Sequence, residues 1–157
     1  MPTLPPEPSA EADTVHAELA TGGLHAALRM LNARTPHRFT GLYRYDGAVL
    51  RNLALFDQHN PDLARGDDAP MDATYCALVP ANDGVLDVAD ARLDPRTAQR
   101  ATATPVVSYC GVLLRDADGV PFGTLCHFDL KPCEPRTSDL ALLNAVAPAL
   151  LRASLGR

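Results

Sequence analysis

The 157-residue sequence contains no tryptophan and few aromatic residues of any kind, four Phe and four Tyr. That scarcity argues against the ring platforms on which single-stranded nucleic acids stack. Runs of Lys or Arg are also missing, and 14 basic against 19 acidic residues leave a formal charge of −5 and a pI near 5.4. A line of phosphates would meet nothing to neutralise it, so nucleic acid is not an expected partner. The opening MPTLPPEPS lacks the basic and apolar regions of a secretory leader, and no apolar run approaches the ~20 residues of a membrane helix. Neither membrane insertion nor secretion is expected, and the chain reads as cytoplasmic. Its four cysteines, Cys76, Cys110, Cys126 and Cys133, form no C-x-x-C pair and no tetrahedral ligand set with histidine. A disulfide scaffold and a metal site are both disfavoured, and reduced thiols are the default.

What is present suffices for one domain, since a chain of this length buries roughly 70% of its unfolded surface. Residues 1–9 hold four prolines and no apolar periodicity, and are expected to be a mobile tail before a single domain over residues 10–157. Val15, Leu19, Leu24, Leu28 and Leu31 recur at helical spacing over residues 10–34, with Gly22-Gly23 as a bend or break. "RFTGLYRYDGAVLRNLALF" (38–56) reads as a hairpin turned at Asp46-Gly47. A polar loop over 57–70 follows, then a short strand and an acidic turn within 84–96, and a short helix over 96–103.

"SYCGVLLRDADGVPFGTLCHFD" (108–129) is a second hairpin, in which a type I turn with Gly119 left-handed pairs Asp116 with Val120. Carried outward without interruption, that register sets Cys110 against Cys126 among Val106, Val112, Leu114, Phe122 and Phe128. Tyr109 then faces His127 on the other side, where Gly111 and Gly123 leave notches. A one-residue slip would exchange these partners. "TSDLALLNAVAPALLRASLGR" is a closing helix, capped by Thr137 or Ser138, kinked at Pro148 and apolar nearly all round. Hairpins flanked by terminal helices imply an antiparallel sheet with those helices on one face, an α+β architecture.

Three pieces in this order, "YCALVPANDGVLDVADARLDPR", "SYCGVLLRDADGVPFGTLCHFD" and "PRTSDLALLNAVAPAL", resemble the GAF domain family of small-molecule sensing modules. The likeness is to a bacterial subgroup with the patterns V-x-D-A-x-x-D-P-R, matched by Val88, Asp90, Ala91, Asp94, Pro95 and Arg96, and G-T-L-C-x-x-D, matched by Gly123, Thr124, Leu125, Cys126 and Asp129. It implies a six-stranded antiparallel sheet, N- and C-terminal helices on one face where homodimers form, and a ligand pocket under loops on the other. Cys110 departs from the subgroup, which has a small residue there. The implied function is a signalling sensor that binds an unidentified small molecule and passes its state to a separate output protein. Tyr75, Cys76, Asp90, Tyr109, Cys126 and His127 are the expected ligand-binding residues.

Other readings compete for the same side chains. Cys110 and Cys126 are either buried small hydrophobes or a cross-strand redox pair. The second possibility connects to a GAF branch, the free methionine-(R)-sulfoxide reductases, whose cysteines cluster around a loop over the pocket. The gaps of 34, 16 and 7 residues here do not match that clustering. No resident cofactor is expected, haem through His127 or a cysteine being the alternative, and "CH" at 126–127 lies outside the place of a bilin attachment dipeptide. Asp94 and Arg96 read as a local charged turn, while Asp90 ends a strand beside the pocket rim.

Overall fold

A computed structural model describes residues 8–134 and 137–156 of the chain. Helix α1 spans Pro8–Gly22 and α2 spans Leu24–Asn32. Between them Gly23, at φ 87°, breaks the helical path at the expected place. Most of the anticipated tail lies outside the described residues. Helix α3, Thr137–Ser154, runs through Pro148; the side chains of its proposed caps, Thr137 and Ser138, also lie outside the described residues. Arg34, just beyond α2, clasps Glu11 of α1 at 2.7 Å and Asp139 of α3 at 3.3 Å, tying the three helices together.

The strands are β1 (Phe39–Asp46), β2 (Val49–Asp57), β3 (Ala69–Pro70), β4 (Val85–Val88), β5 (Ser108–Arg115) and β6 (Pro121–Asp129). They form one antiparallel sheet in the order β3-β2-β1-β6-β5-β4. The two-residue β3 is an addition to the sequence reading: within the polar loop, Pro70 and Ala69 pair with Val49 and Leu50 at the sheet edge, a position that tolerates a missing N–H. The helix expected over 96–103 is a single 3₁₀ turn, Arg100–Thr102. The first hairpin turns on Gly47-Ala48 rather than Asp46-Gly47. Asp46 pairs with Val49, and only Gly47, at φ 60°, takes the left-handed conformation the turn demands.

The second hairpin begins as expected, with the Asp116 N–H donating to Val120 O at 2.9 Å and Gly119 at φ 80°. One step outward the register changes. Arg115 pairs with Pro121 but Leu114 pairs with Gly123, so Phe122 is an extra residue in β6, a β-bulge. Every pair beyond the bulge is displaced by one: Cys110 opposes His127, Tyr109 opposes Phe128, and Gly111 opposes Cys126. Cys110 and Cys126 therefore lie on opposite faces, and the redox pairing inferred from an uninterrupted register is corrected. Phe128 likewise moves to the face opposite Cys110.

Each sheet face carries its own core. Toward the helices, Leu42, Ala54, Phe56, Cys110, Val112, Leu114 and Leu125 pack against Val15, Leu28, Leu31, Leu143, Val146 and Leu150. Away from them, Tyr43, Leu50, Leu86, Val88, Tyr109, Leu113 and Cys126 pack beneath Tyr75, Cys76, Val79 and Ala91 of the connecting segments. The alternation of strand side chains divides the two sets.

Candidate functional site

The second core is not filled. Between the sheet and the segments around residues 67–76 and 104–106 lies a hollow of ≈ 110 Å³. Its wall is aromatic and apolar (Tyr43, Tyr75, Tyr109, Phe128, Leu50, Val106), with exposed Asp67 and the hydroxyls of Thr74 and Thr104 as polar groups. Cys76 and Cys126 complete the lining.

Three strands create the floor. Cys126 in β6 has Gly41 of β1 on one side and Gly111 of β5 on the other, so the sheet dips around its thiol. The notches are occupied by tyrosines from the same strands. A Cβ at Gly111 would meet the Tyr109 phenol at 2.5 Å, and one at Gly41 would meet the Tyr43 ring at 2.7 Å. Glycine thus lets each ring lie down along its strand, where Tyr109 also meets Tyr75 edge-on at 5.9 Å between ring centroids.

Above the floor, the 3₁₀ turn Cys76–Leu78 lowers the Cys76 thiol onto the sheet. Thr124 Oγ1 donates to its sulfur at 3.0 Å and Tyr109 OH donates at 3.2 Å. The Cys126 thiol donates to Gly41 O at 3.8 Å and lines the same hollow as Cys76. Burial pushes the Cys76 pKa up, but the hydrogen bonds from Cys126, Thr124 and Tyr109 outweigh it and hold the thiol below its ordinary value. Burial and then proximity to Cys76 push Cys126 well above its own. The turn is fixed from outside by Tyr45 OH donating to Cys76 O at 2.6 Å and Tyr75 OH donating to Val106 O at 2.7 Å.

Four of the six sequence-predicted binding residues, Tyr75, Cys76, Tyr109 and Cys126, meet at this hollow. His127 does not, because the bulge turns it toward the helices: it is 1% exposed, 2.7 Å from Thr40 Oγ1 and stacked on His37. An axial haem ligand at His127 would face the helical core rather than the hollow. Asp90 also stands outside the lining, both carboxylate oxygens engaged by the Arg92 guanidinium at 2.9 and 2.8 Å. Asp94 and Arg96 form the expected local pair, at 3.0 and 2.7 Å. Tyr43, Leu50, Asp67 and Phe128 were not anticipated. Tyr43 follows a strand glycine by two residues, as Tyr109 precedes one, and that pairing was the available signal.

A six-stranded antiparallel sheet with helices on one face and a loop-covered hollow on the other defines an α+β ligand-pocket module. The sequence profile of the GAF domain matches residues 18–153, and the chain belongs to the GAF domain family. It is 35% identical over 82 residues to a cyclic di-GMP phosphodiesterase of Pseudomonas aeruginosa, a stretch covering 50% of this chain and 14% of that protein. It shares its fold with the GAF domain of an Acinetobacter phosphoenolpyruvate-protein phosphotransferase (TM-score 0.72, 13% identity, 98% and 96% of the two chains covered). The free methionine-R-sulfoxide reductase of Neisseria meningitidis, solved with its substrate, is similar at TM-score 0.67 and 18% identity, with 98% and 93% covered. Among the described residues, no helix is long and apolar enough to cross a membrane.

Proposed function

We infer that the chain is a sensing module whose input is a small, flat, largely apolar molecule bearing one donor or cationic end. The observation that carries this reading is the hollow itself, on the sheet face away from the helices, with four aromatic rings in its wall and the Asp67 carboxylate as its charged group. Aromatic faces favour a planar partner and attract a cation, and a carboxylate orients a donor. The volume suits a metabolite rather than a nucleotide. Binding alters the contacts between the 71–76 segment and the sheet, and a signal results to the extent that the ligand prefers one arrangement of those contacts.

Calorimetry with a panel of small aromatic and aliphatic amines tests the reading. Planar amines are expected to bind, with affinity falling about tenfold in Asp67→Asn and disappearing in Ala73→Phe, which fills the hollow. Equal binding of all members, or of none, would overturn it. A homodimer through α1 and α3, an output protein separate from this chain and a cytoplasmic setting belong to the same proposal. Light scattering showing a monomer at high concentration would remove the dimer. The alternative is a thiol-dependent enzyme of the sulfoxide-reductase type, in which Cys110 and Cys126 would not act as a pair because they lie on opposite faces of the sheet. Turnover of free methionine sulfoxide that vanished in Cys110→Ser or Cys126→Ser would favour that alternative over the sensor.

A further inference from the structure

Two cysteines that no sequence pattern joins, 50 positions apart, line the same small hollow, and one of them is gripped by two hydroxyl donors, of which Thr124 stands two residues before the other cysteine on β6. We propose that Cys76 and Cys126 are a peroxide-reactive thiol pair, Cys76 the attacking sulfur and Cys126 the resolving one, giving the module a redox input beyond reversible ligand binding.

The assignment of roles follows from the hydrogen bonds. A buried thiol with no donors stays protonated and inert; a sulfur that accepts from Thr124 Oγ1 and Tyr109 OH is stabilised as the thiolate, the nucleophilic form. Cys126, whose thiol donates to Gly41 O at 3.8 Å, is held protonated by burial. The hollow brings a small oxidant to both. Cys110 and Cys133 are internal controls. Cys110 lies on the helix side opposite Asp87, and burial, with Asp87 and Asp139, pushes its pKa up. Cys133 is pushed up by burial, and its thiol lies 3.9 Å from Asp129 Oδ2.

The oxidant is a hydroperoxide small enough to enter. The Cys76 thiolate attacks the terminal peroxide oxygen, an S–O bond forms as the O–O bond breaks, and the departing alkoxide or hydroxide is protonated, leaving Cys76 as the sulfenic acid. The Cys126 sulfur then attacks Cys76, the S–S bond forms, and the sulfenic oxygen leaves as water with the Cys126 proton. In total two thiols and one hydroperoxide give one disulfide, one alcohol (or water) and one water. The bond would tie the Cys76–Leu78 turn to β6 and fix one wall of the hollow to its floor.

The test is treatment of the full chain with stoichiometric hydrogen peroxide, then thiol counting after denaturation and peptide mapping. The four thiols should fall to two, with Cys76 linked to Cys126 and dithiothreitol restoring all four. Cys126→Ser should stop at a dimedone-trapped sulfenic acid on Cys76, and Cys76→Ser should leave its remaining thiols unreacted. Thr124→Val keeps shape but removes one donor to the thiolate, and should slow oxidation about tenfold. Oxidation of Cys110 or Cys133 ahead of Cys76, unreactive wild type, or an unchanged rate in Thr124→Val would overturn the proposal; the wild-type map decides even if a cysteine variant does not fold. Planar-amine binding by the reduced wild type, measured alongside, separates failure of this pair from failure of the pocket.

Discussion

Gly111 and Gly123 both look like gaps in apolar strands, yet a methyl group meets different obstacles at each. At Gly123 a Cβ would collide with the Tyr43 carbonyl oxygen, a backbone atom fixed in the sheet, whereas at Gly111 it meets the tip of the Tyr109 side chain. A ring can swing away; a paired strand cannot. Gly123→Ala is expected to destabilise the domain by about 3 kcal/mol or more, read as a fall in urea midpoint. Gly111→Ala should cost about 1 kcal/mol but lift Tyr109 from Cys76, and a pH titration of thiol reactivity should move the Cys76 pKa upward. The reverse order of stabilities would mean that β1 and β6 do not approach as closely as described.

At the scale of elements, the long hairpin shows what local pattern reveals. Its turn was legible because Asp116 and Gly119 have few alternatives in a tight reversal, and the amphipathic helices because their apolar spacing repeats over several turns. The bulge was not legible: Phe122 is as strand-prone as its neighbours, and β6 pairs with β1 as well as with β5, a tertiary arrangement that no local pattern encodes. One extra residue therefore misassigned Cys126, His127 and Phe128 together relative to β5. The gathering of Cys76 with Cys126 was hidden for another reason, since a 3₁₀ turn between loops, held by tertiary contacts, has no periodic signature. Those contacts include Arg100, whose Nη1 donates to the carbonyls of Met71, Asp72 and Thr74 at 3.3, 2.8 and 3.2 Å. The guanidinium thus fastens the pocket wall to the Arg100–Thr102 turn. Arg100→Ala should cost only about 1 kcal/mol globally yet raise amide exchange across residues 71–78 severalfold, with little change in β5 and β6. Uniform acceleration across the sheet would show that the contact supports the whole fold and not this wall.

For the molecule as a whole, two carboxylates make opposite demands as pH changes. Asp57, 7% exposed in its side chain, is gripped by Arg38 through Nε–Oδ1 at 2.8 Å and Nη2–Oδ2 at 3.0 Å. The hydrogen bond from Arg38 holds its pKa below the ordinary 3.8 despite burial. Its contribution is therefore complete above that ordinary value and is lost as pH falls through the lowered one. Asp87, across from Cys110, is pushed the other way by burial and by Asp139, with Arg96 opposing. Ionising it weakens the fold, so its penalty is absent in acid, grows as pH rises from 3.8 through the raised folded value, and is constant beyond. Asp57→Asn should accordingly lower stability at pH 7 by about 1–3 kcal/mol and have little effect near pH 2. Asp87→Asn should raise it at pH 7 by about 0.5–1 kcal/mol and be neutral near pH 3. Urea midpoints across that range read both effects. Loss of stability in Asp87→Asn at neutral pH would show that its carboxylate is a favourable partner within the helix-side core and not a cost the fold bears.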